Sequence, residues 1–125
     1  MNILVTAGGT LVPIDKVRCI TNVFTGRTGA SIALHAHDRG HTVTLLTSTP
    51  EAVADLREHG APTDARWLVR RYRTFDDLEQ RLMEPIRSGS VEVVVHTAAV
   101  SDYRAAGVYT SAPGTQFDPT GKRWV

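Results

Sequence analysis

The sequence is poor in cysteine and in net charge, and each shortage excludes a class of protein. Its single cysteine, Cys19, cannot form an internal disulfide, so the chain is no disulfide-stabilised scaffold and is expected in a reducing, cytoplasmic compartment. The formal net charge is +1, from 14 basic and 13 acidic side chains, so no bulk field indicates nucleic acid as a partner.

Long hydrophobic runs and a basic leader are also missing. No apolar run approaches the ~20 residues of a membrane span, so no membrane association is expected. Met1 and Asn2 lead straight into a strand-like run, so a secretory signal is not expected either. What is present is an ordinary globular composition, 42% hydrophobic and 22% charged, in 125 residues that predict one domain, residues 1–125.

Apolar runs rich in β-branched residues alternate with segments of helical periodicity. Strands are predicted at residues 2–6, 42–47, 91–96 and, at a sheet edge because of its charge, 66–72. Helices are predicted at residues 27–39, from Thr49 to near His59, and from Thr74 through Ile86 with a bend or end at Pro85. Residues 107–122 have loop composition, and Lys122 to Val125 is a candidate start of a further strand.

The alternation of strands and helices predicts an α/β fold, a Rossmann-like doubly wound and mostly parallel sheet with helices on both faces. Near-continuous Val, Ile and Leu runs in the first and last strands fit strands that are buried on both faces. Such sheets usually have about five or six strands. Only four are predicted here, so the domain is expected to be truncated, incomplete at its C-terminus.

Two segments of small residues follow the first and last predicted strands. Ligands of open α/β sheets bind outside the carboxyl ends of the strands, where the strand order reverses. The segments there are Ala7-Gly8-Gly9-Thr10 and Thr97 to Asp102. Small residues let a ligand approach the backbone closely, which predicts a binding site. The alternative is that tight strand-to-loop turns simply require small residues.

A dinucleotide site of the usual kind is disfavoured. The Gly-x-Gly-x-x-Gly fingerprint opens the helix directly after the first strand, but here about sixteen residues separate Thr10 from the glycine pair that opens the helix. The only lysines are Lys16 and Lys122, so the Tyr-x-x-x-Lys pair of a short-chain dehydrogenase is missing. Residues 96–100 nevertheless look like a segment of extended members of that group, so an NAD(P)-binding oxidoreductase is the alternative function.

The segment 10–29 has few signals of regular structure but many polar side chains, among them Asp15, Arg18, Asn22 and Arg27. Gly26 and Gly29 leave backbone N–H groups free at a helix N-terminus, where these donors and the helix dipole stabilise phosphate. The alternative is an ordinary helix start with Thr25 as N-cap.

Four motifs in this order strongly resemble phosphopantothenoylcysteine synthetase, an enzyme of coenzyme A biosynthesis. They are Ala7-Gly8-Gly9-Thr10, Pro13-Ile14-Asp15-x-Val17-Arg18, Ile20-Thr21-Asn22-x-x-x-Gly26-Arg27-x-Gly29, and Ala98-Ala99-Val100-Ser101-Asp102-Tyr103-Arg104. The resemblance covers residues 2–48 and 91–106 and is weaker between them. It implies a Rossmann-like domain that binds nucleotide and phosphopantothenate and forms a homodimer.

The resemblance also implies a reaction. The family is a ligase that joins 4′-phosphopantothenate to cysteine. A nucleoside triphosphate, CTP or ATP, acts with Mg²⁺ to activate the carboxylate as an acyl-nucleotidyl anhydride, releasing pyrophosphate. The cysteine amine then attacks, which gives an amide and the nucleoside monophosphate. The sequence leaves open which triphosphate is used.

For the nucleotide, the resemblance implies contacts from Gly8, Gly26 and Gly29 through backbone N–H groups, with added charge from Arg27. Asn22 matches the family asparagine that contacts phosphopantothenate and the acyl intermediate, and it is the expected catalytic residue. Its amide can donate to the acyl oxygen as that oxygen gains charge.

Further matched residues are expected to bind the substrate. Ala98, Ala99 and Asp102 match positions that line the pantothenate and nucleotide site, although Asp102 is equally suited to capping the following turn. Arg18 matches a family arginine near the active-site loop, and it either pairs with Asp15 or binds the substrate phosphate.

Two departures from the family pattern stand out. Phe24 replaces a serine that contacts the nucleotide in the family, so it is expected to stack on a base or to pack at a dimer face. The lysine-rich Lys-x-Lys-Lys motif beyond the aspartate is not recognisable, which leaves a non-catalytic nucleotide-binding remnant as a further alternative.

The remaining reactive residue types are expected to be structural. The five histidines show no metal-ligand grouping, so no metal site built from protein side chains is predicted. Cys19 is expected to be buried or incidental, and Arg70, Arg71 and Arg73 are expected to form a solvated strand edge.

Overall fold

A four-stranded parallel sheet forms the centre of the chain. The computed structural model describes residues 1–116, 118 and 120. The strands are β1 (Asn2–Ala7), β2 (Leu11–Pro13), β3 (Cys19–Thr21), β4 (Thr42–Thr47), β5 (Trp67–Arg71) and β6 (Val93–His96). The helices are α1 (Arg27–Asp38), α2 (Ala52–Leu56) and α3 (Phe75–Arg87).

The spatial order of the parallel strands is β5-β4-β1-β6. In the pairing register, Val5 of β1 lies opposite Leu45 of β4 on one side and opposite Val95 of β6 on the other. Along the chain, β4 and then β5 are added on one side of β1, and β6 is added on the other side. This reversal confirms the Rossmann-like α/β fold, and β5 lies at the predicted edge.

The two faces of the sheet carry separate apolar cores. α1 and α2 pack on the face that holds Ile3, Val5 and Ala7 of β1. α3 packs on the opposite face, where Leu4 lies beside residues of β4 and α3. Successive β1 residues thus enter different cores, which explains why this strand has no polar alternation. Within the described residues, no helix combines the length and the apolar character needed to cross a bilayer.

The predicted helix ends are partly confirmed. Gly40 has a φ of 93°, the left-handed conformation expected just beyond α1. Thr74 caps α3 in a reciprocal capping box, in which its hydroxyl accepts from the Asp77 N–H and the Asp77 carboxylate accepts from the Thr74 N–H. The prediction for α2 is wrong at both ends, because Glu51 rather than Thr49 is its N-cap and the helix ends at Leu56, after which Arg57 is extended. α3 continues past Pro85 to Arg87.

The segment 10–29 contains a β-hairpin that its sequence did not predict. Leu11–Pro13 pairs in antiparallel register with Cys19–Thr21. The turn is held by Asp15, whose Oδ1 accepts hydrogen bonds from the N–H groups of Val17 at 2.9 Å and Arg18 at 2.8 Å. Cys19 is exposed on this hairpin, so of the two expectations for it, buried or incidental, burial is excluded. The strand candidate from Lys122 lies outside the described residues.

Candidate active site

The small-residue segments after β1 and β6 lie directly against each other. Gly9 and Ala99 form a parallel bridge. The Ala99 N–H donates to the Gly8 carbonyl at 2.8 Å, and the Thr10 N–H donates to the Ala99 carbonyl at 3.1 Å. Thr10 and Ser101 are further joined through their hydroxyls at 2.5 Å. The two predicted site segments therefore form one continuous wall at the carboxyl edge of the sheet.

Asn22 is attached to this wall. Its carboxamide nitrogen donates to the Ala99 carbonyl at 2.9 Å. Within the described residues its carboxamide oxygen accepts no hydrogen bond from the protein, and the side chain is half-buried. The third and fourth motifs, 77 residues apart in the sequence, thus meet at one point.

Beside the wall, two glycines allow separate segments of the chain to approach each other closely. A Cβ on Gly8 would lie 2.1 Å from the Ser48 hydroxyl oxygen, and Gly8 has a φ of 90°. A Cβ on Gly26 would lie 2.4 Å from the Thr49 hydroxyl oxygen and 3.2 Å from the Gly8 nitrogen, and Gly26 has a φ of 73°. Both positions thus require glycine for space and for backbone conformation. They bring the loop after β1 against the N-terminus of α1.

Backbone N–H groups without a protein acceptor lie at this contact between the loop after β1 and α1. The N-cap of α1 is Gly26, which has no side chain to accept a hydrogen bond from the first turn of the helix. The alternative N-cap, Thr25, has its hydroxyl 3.5 Å from the Arg27 nitrogen, at the limit of a hydrogen bond. Among the described residues the N–H groups of Gly8 and Thr28 have no protein acceptor. Free N–H groups and the positive end of the helix dipole suit a phosphate group.

Gly29 has a packing role as well. A Cβ there would lie 2.5 Å from both the Ala7 Cβ and the Thr97 hydroxyl oxygen, and 2.9 Å from the Thr6 carbonyl oxygen. Gly29 is buried, and its missing side chain lets α1 rest directly on β1 and the start of the segment after β6. The contact of its N–H with a nucleotide stays a prediction.

The two predicted arginines are paired with carboxylates. The Arg18 guanidinium contacts Asp15 Oδ2 through Nε at 2.8 Å and Nη2 at 2.5 Å. This hydrogen bond is the largest cause that lowers the pKa of Asp15 below its usual value. In this structure the first of the two expectations for Arg18, pairing with Asp15, is the one observed. The Arg27 guanidinium lies 3.9 Å from the Asp55 carboxylate of α2, and both side chains are largely exposed.

In the segment after β6, the N–H groups of Thr97, Ala98, Ala99 and Ser101 donate within the protein. The Ala98 N–H donates to the Thr6 hydroxyl at 3.2 Å, whereas no described group donates to the Ala98 carbonyl. Asp102 is exposed, and among the described residues its carboxylate accepts no hydrogen bond, so no capping role is seen there. Arg104 anchors the segment by donating to Asp76 at 2.6 Å while lying over the Phe75 ring.

Sequence reasoning missed part of the site wall. A cavity of about 230 Å³ next to Asn22 is lined also by Ser48, Thr49, Arg71, Tyr72 and Arg73. Tyr72 is 1% exposed, and its hydroxyl donates to the Ala7 carbonyl at 2.9 Å. Burial raises the pKa of Tyr72, so it remains a neutral donor. The available signal in the sequence was a large aromatic residue at the end of the charged strand predicted at residues 66–72.

A metal ion would depend on the substrate for most of its ligands. Among residues 1–116, 118 and 120, no group of three or more His, Cys, Asp or Glu side chains could hold one. Mg²⁺ is commonly bound through one or two carboxylates plus substrate phosphates. The exposed Asp102 carboxylate, in the loop that forms the site wall, fits that mode.

Comparisons with known proteins agree with the motifs. The family model of the DNA/pantothenate metabolism flavoprotein C-terminal domain matches residues 1–112. The Coenzyme A biosynthesis bifunctional protein CoaBC of Escherichia coli is 39% identical over 111 residues, which cover 86% of this chain and 24% of that protein. CoaBC of Thermococcus kodakarensis is 34% identical over 102 residues, covering 82% of this chain and 23% of that protein. The chain thus spans about a quarter of the length of these relatives.

Solved structures share the fold. The DNA/pantothenate metabolism flavoprotein from Streptococcus pneumoniae matches with a TM-score of 0.68 at 35% identity, over 83% of this chain and 42% of that one. The C-terminal domain of CoaBC matches with a TM-score of 0.64 at 31% identity, over 82% and 47%. A Cab2 variant solved with phosphopantothenate-cysteine has a TM-score of 0.62 at 21% identity, over 97% and 54%. Together with the family match, these structures confirm the resemblance to phosphopantothenoylcysteine synthetase.

Proposed function

Because the chain belongs to the family of the DNA/pantothenate metabolism flavoprotein C-terminal domain, we propose that it acts in coenzyme A biosynthesis as a phosphopantothenate–cysteine ligase. Relatives that match most of this chain are named for coenzyme A biosynthesis. A structure of the same fold holds phosphopantothenate-cysteine, which is the product that this reaction would form. The nucleoside triphosphate would be CTP or ATP.

The proposed reaction has two steps. A carboxylate oxygen of 4′-phosphopantothenate attacks the α-phosphorus of the triphosphate, and pyrophosphate leaves with the electron pair of the broken bond. The cysteine amine then attacks the acyl carbon, the nucleoside monophosphate leaves, and the amine nitrogen gives up a proton. Mg²⁺ on the triphosphate would neutralise phosphate charge during the first step.

The observation that carries this proposal is the hydrogen bond between the Asn22 carboxamide and the Ala99 carbonyl. It fixes Asn22 at the carboxyl edge of the sheet, next to Gly9. Gly8, the residue before Gly9, lies against Gly26 at the start of α1, so the free N–H groups of Gly8 and Thr28 belong to the same edge. We assign these N–H groups to the phosphates of the nucleotide and Asn22 to the acyl group. A fixed donor stabilises charge that develops on an acyl oxygen without having to reorganise.

The same family membership supports a homodimer. Four large apolar side chains of the hairpin and the loop behind it are exposed, namely Val17 at 88%, Ile20 at 57%, Val23 at 96% and Phe24 at 63%. Exposed apolar side chains concentrated in one segment are typical of an interaction surface. We propose that a second copy of the chain covers them.

The ligase activity is tested by incubating the full chain with 4′-phosphopantothenate, L-cysteine, Mg²⁺ and either CTP or ATP. We expect pyrophosphate release and a new amide product, detected by mass spectrometry, with one of the two triphosphates. Omission of cysteine should leave the acyl-nucleotidyl intermediate. Saturable NAD(H) binding without binding of either triphosphate would refute the proposal and favour the oxidoreductase alternative.

A further inference from the structure

The cavity beside Asn22 is cationic. It has a volume of about 230 Å³, and Arg71 and Arg73 are the charged side chains among the described residues that line it. Within the described part of the chain, no carboxylate lies within 4.0 Å of either guanidinium. By contrast Arg70, one residue earlier, lies 3.9 Å from Glu84 and lines a different cavity. Two uncompensated guanidinium groups at one cavity indicate an anionic ligand group.

The backbone holds both arginines in place. The Arg73 carbonyl accepts from the Leu11 N–H at 2.9 Å, and the Arg73 N–H donates to the Asp77 carboxylate at 3.2 Å. Tyr72, between the two arginines, is buried and bonded to the Ala7 carbonyl. Arg71 and Arg73 therefore lie at the edge of the sheet, between the hairpin and the N-terminal cap of α3.

We propose that Arg71 and Arg73 bind the carboxylate of the amino-acid acceptor, which places its amine toward the acyl group at Asn22. This inference rests on the proposed ligase function and assigns the acceptor pocket within it. A guanidinium matches a carboxylate with paired hydrogen bonds. In an α-amino acid the amine is attached to the carbon next to the carboxylate, so an anchor beside Asn22 holds the nucleophile close to the reacting carbon.

Size and lining favour this occupant over a nucleotide. A cavity of about 230 Å³ accommodates a small amino acid, whereas the phosphates have a separate set of backbone donors at Gly8 and the N-terminus of α1.

The kinetic test compares L-cysteine with cysteamine, which has the same thiol and amine but no carboxylate. In the double variant Arg71→Gln and Arg73→Gln, we expect the KM for L-cysteine to rise about tenfold or more, the range of a lost charge-assisted hydrogen bond. The kcat/KM for cysteamine and the KM for 4′-phosphopantothenate should be unchanged. Arg70→Gln is the matched control and should behave as the wild type. An equal loss with both amines, or a rise in KM for 4′-phosphopantothenate alone, would overturn the proposal.

A binding measurement separates this inference from the ligase activity itself. Saturation-transfer NMR on the full chain with 4′-phosphopantothenate present should show a signal for L-cysteine in the wild type and in Arg70→Gln but not in the double variant. No signal in the wild type, or an equal signal in the double variant, would overturn the pocket whether or not the chain forms product. A signal that depends on the arginines in a chain that forms no amide would instead refute the ligase proposal alone.

Discussion

The carboxamide of Asn22 donates to the carbonyl of Ala99 at 2.9 Å, and this contact joins the loop before α1 to the segment after β6. The Ala99 carbonyl also accepts from the Thr10 N–H, so one carbonyl oxygen connects three parts of the chain. The side chain that the family resemblance implies in catalysis is therefore also part of the structure of the site. A substitution of Asn22 can therefore change both the chemical step and the packing of the site, and the two effects must be measured separately.

The replacement Asn22→Asp is expected to separate the two chemical steps. A carboxylate cannot donate to an acyl oxygen, and it would face the Ala99 carbonyl, acceptor against acceptor. We expect amide formation to fall by about 10²-fold or more, the loss seen when one such donor is removed, while pyrophosphate release falls much less. Both rates are measured on the same samples, with thermal unfolding as the control for folding. Equal losses in the two rates would contradict the role given to Asn22.

The replacement Gly29→Ala is expected to destabilise the chain because α1 rests on β1 through this residue. The new Cβ would lie 2.5 Å from Ala7 Cβ and from the Thr97 hydroxyl oxygen, and helix propensity alone would predict a gain. We expect a net loss of about 1–3 kcal/mol in the free energy of unfolding, the range of overpacking, measured by urea denaturation. A fully stable Gly29→Ala would show that the helix shifts freely.

Much of the fold could be predicted because its signals are local. Buried parallel strands have continuous apolar runs, and Thr74 with Asp77 forms the capping box that polar residues at a helix start indicate. The hairpin could not be predicted in this way. Its strands have three residues each, and its turn is defined by the hydrogen bonds of Asp15 rather than by a glycine or a hairpin dipeptide.

The site could be predicted only as far as its motifs reach. Gly8, Asn22 and Ala99 were recognised from a resemblance, and the topology places them together. Arg71 and Arg73 were expected to be solvated charges of a strand edge, which their exposure confirms. Their position beside Asn22 depends on how segment 10–29 folds back over the ends of β4 and β5, and no local pattern encodes that path.

Acid stability should depend on Asp77. Hydrogen bonds from backbone N–H groups, that of Thr74 first, lower the pKa of Asp77 below its ordinary value of 3.8. A lowered pKa means that the stabilisation is present above pH 3.8 and is lost as the pH falls through the lower value in the folded state. Asp77→Asn should therefore give a shallower fall in the free energy of unfolding below pH 3.8, measured by urea denaturation from pH 7 to pH 2.5. An unchanged slope would contradict this assignment.

The homodimer is tested at the most exposed of its apolar residues. Val23 is 96% exposed in the single chain, so Val23→Asp costs the isolated fold little but would place a charge in the proposed interface. We expect sedimentation velocity to show a dimer for the wild type and a monomer for Val23→Asp, with equal circular dichroism spectra. Val108→Asp, a substitution of the same type at a residue that is 54% exposed elsewhere, serves as the control and should remain dimeric. A monomeric wild type, or a variant that dimerises as well as the wild type, would exclude this surface as the interface.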